Sequence, residues 1–526
     1  MIDRRGMLQL AGGAALLPWL GGTVLGQAAT DVLRVALAAA PGALDPQFHN
    51  STPNSQIAAA MFDTLTAFDA KQTLIPSLAT AWRSIAPTTW EFTLRPGVMF
   101  SDGSPLTVED IVASYQRIAT LQTPIPFTVY TRSIAKIEKG DEGKLLIHTT
   151  TPDPLLPSSA TRIRIIKAAF KDTPPADFNR GVGAIGTGPF VFKEYAIGSR
   201  LVVTRNDRYW GAKQSWREVV VNFMSDKAAR TASLISGGVD LIEAVSPADL
   251  PNLKNAANVR IESVTSNRLI YFSMDTTRDV SPFITELNGS AMMTNPFKDL
   301  RVRQALSFAI NREAIASRIM DGQATPASQF VPFDTSFGAD PTLKPTPYNL
   351  DKAKALLAEA GFGKGFKLVM HSCNDRYLND SGVSQAVAQM LSRIGIQTSL
   401  EIMPWSVYSK RTHDHDFSFC LGSWGANTGE AGTPLLAIVA TPGKGSGQSN
   451  YGNYRNPKID EALTAALSTM DDEARRSALS KIVRMAVDDV AVIPVHFEKT
   501  TWATAKDVAY SGRSDQYTLL SNASKG

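Results

Sequence analysis

Cysteine is nearly absent from this chain: its 526 residues hold two, Cys373 and Cys420, in no spacing that serves a metal. A disulfide formed in an oxidising compartment and two buried free thiols both fit that pair. Histidine is scarce too, six in all, and only His413-Asp414-His415-Asp416 brings two together. Imidazole and carboxylate are competent zinc or nickel ligands. The segment sits in a polar run just before DFSFCLG, however, and reads as a solvated loop, so no metal is expected. Charge of one sign is lacking as well. The formal net charge is +4, of which Asp3, Arg4 and Arg5 contribute +1. No basic block with interleaved aromatics occurs, which excludes nucleic acid as a partner. No low-complexity tract or fixed-period repeat is visible, which removes repeat arrays.

The usual catalytic strings are missing or misplaced. Gly181-Val182-Gly183-Ala184-Ile185-Gly186 has the spacing of a dinucleotide fingerprint, but that motif works only between a strand and a helix N-terminus. Here Asp177-Phe178-Asn179-Arg180 precedes it and the strand-like Pro189-Phe190-Val191-Phe192 follows, so the glycines are expected to serve turns. Gly361-Phe362-Gly363-Lys364 lacks the lead of a P-loop, and Gly445-Ser446-Gly447 has the wrong spacing for a nucleophile elbow. Neither ATP hydrolysis nor acyl transfer is supported.

What is present is a long chain, 44% hydrophobic and 19% charged, enough for two or three domains. It begins with Asp3-Arg4-Arg5-Gly6-Met7-Leu8, followed by an uncharged stretch to Thr30 that ends in small residues. This pattern reads as a twin-arginine export signal over residues 1–28, with cleavage after Ala28. A retained anchor is the alternative, since the stretch is just long enough to span a bilayer. Gly12, Gly13, Pro18, Gly21, Gly22 and Gly26 lower its hydrophobicity and helix propensity. Two arginines are also compatible with the general secretory route.

Residues 94–118, LRPGVMFSDGSPLTVEDIVASYQRI, are the most informative stretch. The strand TTWEFTL ends at Arg95-Pro96-Gly97, where proline fixes one backbone angle and glycine permits the opposite sign. A second turn follows at Asp102-Gly103. Thr107 can then accept from the N–H of Asp110, and Ile111, Val112, Tyr115 and Ile118 recur at helical spacing. The first strand is read at 31–39, and short strands and turns alternate to about residue 170 in an α+β pattern. Further on, Val302, Leu306, Ala309 and Ile310 share a helix face, with Asn311 capping a second short helix that ends before Gly322. Leu350, Ala353, Leu357 and Ala360 repeat the pattern, with Gly361 as the stop. KLVM, QTSLEIM and DFSFCLGSW are strands alternating with helices, which makes an α/β lobe.

The stretch at 94–118 resembles the signature of the periplasmic solute-binding proteins that feed peptide-type ABC importers, the extracellular solute-binding family 5. Other landmarks of that family follow in order: Leu44-Asp45-Pro46, PSLATAW (76–82), IGTGPFVFKEY (185–195), RNDRYWG (205–211), SGGVDLIEAV (236–245), FKDLRVRQALSFAINREAI (297–315), NLDKAKALLAEAGF (349–362) and NPKIDEAL (456–463). The resemblance implies mixed α/β and α+β architecture: a two-lobed periplasmic binding protein of the class II type, cluster C, with an extra inserted domain and a hinge. Lobe I would comprise 29–52, 185–270 and 490–526, the inserted domain 53–184, and lobe II 271–489. It also implies a receptor with no catalysis and no cofactor, a monomer whose partners are a small solute, an ABC permease and an ATPase. No cysteine stands at the cleavage site, so the receptor would be soluble in the periplasm without a lipid anchor. The leading solute class is a di- or oligopeptide. An oligosaccharide, an opine-like acid or a metal chelate is the alternative within the fold, and a periplasmic hydrolase the alternative of another class.

The same resemblance points to binding residues. Arg376 falls where dipeptide-binding members place an arginine for the ligand carboxylate, a task suited to the two parallel hydrogen bonds of a guanidinium. Trp424 is expected as a stacking wall. Asn427 stands where peptide-binding members carry an aspartate that neutralises the ligand's α-amino group. A neutral amide cannot supply that charge, so either Glu430 compensates or the solute lacks a free amine. Phe48, His49 and Asn50 follow the first strand at a cleft-lining position, and Tyr271 lies beside a hinge crossing. Trp405 and Tyr408 are expected to pack the helix after QTSLEIM.

Overall fold

The computed structural model describes residues 31–526; the export signal read at 1–28 lies outside the described residues. The signature segment folds as its chemistry dictates. Strand Thr89–Leu94 runs into a turn with Gly97 at φ +71°, and Gly103 sits at φ +87° in the next. Helix Val108–Thr120 then opens with a reciprocal cap: Thr107 Oγ1 accepts from the Asp110 N–H at 3.4 Å, and Asp110 Oδ2 accepts from the Thr107 N–H at 2.8 Å. Ile111, Tyr115 and Ile118 on one face are buried with Trp90, Phe92, Leu145 and Ile147 of a four-stranded antiparallel sheet. In that sheet Ala79–Ala86, Thr89–Leu94, Lys144–Thr149 and Ile134–Lys139 are neighbours in this order. It is a self-contained core.

A twelve-stranded sheet carries the rest. Its backbone is an antiparallel pair of long strands, Val259–Met274 and Ile493–Ala505. One end of the pair meets Leu241–Ile242 and, beyond it, the parallel pair Val32–Leu37 and Glu218–Phe223. The other end meets Phe419–Gly425, which leads to Phe366–Cys373 and Ile396–Met403. Each long strand therefore belongs to two lobes. The register between them breaks from Thr265 to Leu269. At this break Trp502 and Val264, which pack in the first lobe, give way to Ile270, Phe272, Ile493 and Val495 in the core of the second. A register break removes ladder hydrogen bonds locally and lets the strands bend, so the hinge is built into the sheet.

In the second lobe, helix Leu300–Ala309 stops at Ile310, and Asn311 Oδ1 accepts from the Ala314 N–H at 2.9 Å to start the next turn. Val302, Leu306, Ala309 and Ile310 are fully buried. Helix Leu350–Glu359 is capped by Asn349 and followed by Gly361 at φ +88°. Cys373 and Cys420 are buried free thiols. The solvated segment expected at 413–416 is a largely exposed turn: His413 ends helix Trp405–His413, and beyond it Asp414 pairs with Lys410 and Asp416 with Arg411 at the surface. The glycines of 181–188 do more than turn the chain. Gly186 packs so closely on Met61 that a Cβ would lie 1.9 Å from its carbonyl oxygen.

Candidate ligand cleft

The lobes meet at a hairpin. Strands Thr66–Phe68 and Leu74–Pro76 are joined by a turn in which Asp69 Oδ1 accepts from the N–H groups of Lys71 and Thr73, both at 2.8 Å. Its tip reaches across the molecule: Gln72 Nε2 donates to the Ala426 carbonyl at 3.1 Å, and the Ala70 carbonyl accepts from the Ser514 N–H at 2.9 Å. Phe68 and Gln72 consequently line cavities on both sides of the hairpin.

The cavity on one side, about 250 Å³, contains Asn427 with Asp63, Arg162, Arg164, Arg513 and Asp515. Asn427 Oδ1 accepts from Asn267 Nδ2 at 3.3 Å. Arg513 and Asp515 form a close ion pair of 2.5 Å. Arg162 donates to the Tyr517 hydroxyl at 2.5 Å and to Asn50 Oδ1 at 3.3 Å. Arg164 donates to the Phe62 carbonyl at 3.0 Å. Burial drives the Arg164 guanidinium down to about 10, with Asp63 opposing and the charges of Arg162 and Arg513 adding to the fall. Asp63, which accepts from Trp210 Nε1 at 2.8 Å and Thr187 Oγ1 at 2.9 Å, is pushed above the usual carboxylate range by burial.

Across the hairpin, a second cavity of similar size holds Glu430 and Arg475 among Trp82, Trp90 and Phe337. Glu430 Oε2 lies 2.5 Å from Arg475 Nη1, and the guanidinium stacks 4.2 Å from the Phe337 ring centre. Arg376 lies in a third and larger cavity of about 620 Å³, where Tyr377 and Leu378 of one lobe face Lys227 and Pro247 of the other. Its side chain is exposed and its guanidinium sits 5.3 Å from the Trp405 ring centre. Strand Phe419–Gly425 pairs with Phe366–Cys373 only at Phe419 and Cys420. Beyond Cys420 that edge has no strand partner among the described residues. The half-buried Trp424 stands on this stretch, its indole N–H buried without a partner.

The two-lobed chain, with cavities lined from both lobes, matches a protein family. Residues 73–446 fit the description "Bacterial extracellular solute-binding proteins, family 5 Middle". The chain belongs to this family. Among curated relatives, the periplasmic murein peptide-binding protein MppA of Escherichia coli is 24% identical over 87% of this chain and 86% of its own length. The periplasmic oligopeptide-binding protein OppA of Salmonella typhimurium is 25% identical over 86% of this chain and 84% of its own. In three dimensions, the unliganded open form of MppA superposes with a TM-score of 0.81 at 22% identity, covering 95% of this chain and 98% of that one. HbpA2 from Haemophilus parasuis gives 0.79 at 22%, over 94% and 100%. These likenesses bear on the two-lobed fold.

Within this family 5 member the expected site residues separate. Asn427, Arg376 and Glu430 line three different cavities, and Asn50 joins Asn427's cavity through Arg162. Phe48 and His49 are half-buried beside Ile125 and line none of the three. Two expectations are corrected. Tyr271 is fully buried in the core; its hydroxyl donates to the Ser449 carbonyl at 2.8 Å, and its ring fills the space over Gly422, so it presents no surface to a cleft. Glu430 lines the cavity across the hairpin from Asn427, where its Oε2 pairs with Arg475 and burial raises its carboxyl even against that partner, so it does not stand in for an aspartate at position 427. Trp405 and Tyr408 lie on the helix after Ile396–Met403, with Tyr408 stacked on Phe417 at 5.2 Å. Sequence reasoning missed Arg162, Arg164, Gln72 and Tyr517. The alternation Arg162-Ile163-Arg164-Ile165 was the available signal, because a period of two sends both arginines to one side.

Proposed function

We propose that this chain is the substrate-binding component of an ABC importer. It would be exported to the periplasm as a soluble monomer with lobes bounded as the sequence indicates, and it would deliver a captured solute to a permease and ATPase without chemistry of its own. The observation that carries this reading is the pair of long strands shared by both lobes, with a register break between cavities that both lobes line. A solute touching both walls favours the closed arrangement in proportion to its extra contacts there.

Di- and oligopeptides are the leading solute class, supported by the names of the relatives and by the strand edge at the half-buried Trp424 and Gly425, which has no strand partner among the described residues and could offer backbone groups to an extended ligand. Arg376, exposed and free of a carboxylate partner among the described residues, would take the ligand's carboxylate, and Trp424 would wall the ligand. The amine-free alternative is favoured by Asn427, a neutral group whose oxygen is already occupied. The test is a thermal-shift screen of di- and tripeptides with small-angle scattering on the same samples. A bound solute raises Tm by mass action and contracts the particle, and Arg376→Ala loses both effects. Turnover of a peptide, or binding without contraction, would sink the proposal.

A further inference from the structure

Neither Arg162 nor Arg164 has a carboxylate within ion-pair distance; their hydrogen-bond partners are Tyr517, Asn50 and the Phe62 carbonyl. Ile163 and Ile165 turn into the core of the inserted domain, so the guanidiniums on alternate positions face the cavity that Asn427 lines. Every protein partner they have is neutral: a phenol and an amide for Arg162, a backbone carbonyl for Arg164. The Arg162 Nε is buried with no partner at all. The cavity is lined by three arginines against two aspartates, which leaves positive charge in excess. Asp515 is consumed by Arg513, and Asp63 gives its oxygen Oδ2 to Trp210 and Thr187 rather than to a guanidinium. Both side chains are half-buried and line one cavity, and two guanidiniums side by side repel, so an anion between them would complete the arrangement. Asn427 agrees in sign. Asn267 occupies its oxygen, which leaves the amide N–H groups to donate, and a donor suits an anion where it cannot serve an ammonium.

We propose that this cavity receives an oxyanionic group of the captured solute, held by Arg162 and Arg164 and completed by the Asn427 amide. The solute is then acidic at the end where a peptide receptor would seat an ammonium. The assignment rests on the reading of the cleft as the solute site.

The test compares two probes that differ at one end, Ala-Ala and N-succinyl-Ala-Ala, alongside inorganic phosphate, all at fixed ionic strength. Binding is read by thermal shift and calorimetry in the wild type, in Arg162→Gln/Arg164→Gln, and in Arg180→Gln, an exposed arginine whose loss shows the effect of removing a surface charge elsewhere. The wild type and Arg180→Gln should bind an oxyanion probe, and the double variant should bind it at least about tenfold more weakly, as expected when charge-assisted hydrogen bonds are lost. Response to succinyl-Ala-Ala identifies a carboxylate, and response to phosphate alone identifies a phosphorylated solute. No response to either oxyanion, the same response in the double variant, or tighter binding of Ala-Ala than of its succinyl form overturns the assignment. Scattering separates the two readings. Oxyanion binding through the arginines without lobe closure would sink the receptor and keep the anion site. Closure by Ala-Ala that survives in the double variant would keep the receptor and sink the anion site.

Discussion

Gln72 and Gly429 meet backbone to backbone across the lobes: a Cβ on Gly429 would stand 2.3 Å from the Gln72 carbonyl oxygen. Gly429 also has φ +71°, a conformation that favours glycine. Gly429→Ala should therefore hold the hairpin tip off the second lobe. Scattering is expected to show a larger particle in the presence of solute, and affinity should fall about tenfold, the equivalent of about 1.4 kcal/mol. Gln72→Ala, which removes the hydrogen bond to the Ala426 carbonyl and a long one from Ser514 Oγ, should cost about 1 kcal/mol of closure. Unchanged affinity and particle size in Gly429→Ala would show that the hairpin contact plays no part in closing.

Arg117 on the signature helix pairs with Asp45 of the Leu44-Asp45-Pro46 landmark at 2.5 Å, both side chains buried. Arg117→Ala strands the carboxylate, and urea unfolding should show a loss of about 3–5 kcal/mol. Replacing both partners, Asp45→Asn with Arg117→Met, should recover part of that loss. A single-variant cost below about 1 kcal/mol would contradict the pairing.

Glu430→Gln separates packing from ligand charge. The substitution weakens the bond to the Arg475 guanidinium, so stability should fall by about 1–3 kcal/mol while calorimetric affinity for a bound peptide or oxyanion stays within about twofold. A large, selective loss of affinity at unchanged stability would return Glu430 to the ligand.

His496 is buried on strand Ile493–Ala505 with both ring nitrogens lacking partners, and burial holds its pKa down to about 3. In the unfolded chain it titrates near 6.5. As pH falls the unfolded state takes the proton first, so this contribution to stability is full above about 6.5 and is lost progressively towards about 3. His496→Leu removes the effect. Between about pH 7 and pH 4 the variant's urea midpoint should fall less than the wild type's, and parallel curves would place the histidine in a wetter site.

Much of the local architecture could be read from residues close in sequence. Thr107 and Asp110, Asn311 and Ala314, and Asn349 with Lys352 are caps three residues apart, and the buried faces of their helices follow from spacing alone. The ordered landmarks likewise indicated the two-lobed fold. Tyr271 shows where such reading stops. A residue beside a hinge crossing can face the cleft or the core, and a strand's two faces differ only in what other segments lay against them.

By itself, then, the sequence determined the elements, their caps, the order of the landmarks and the family, all of which depend on contacts within a turn or two of helix or strand. Only the tertiary structure decided the charge of the cleft. Arg162 and Asn427 are 265 positions apart in the numbering, yet they line one cavity, while Glu430, three residues from Asn427, is neutralised by Arg475 in another. Electrostatic balance falls off with distance in space and not along the chain, so which charges cancel is settled when the lobes and the hairpin between them come together.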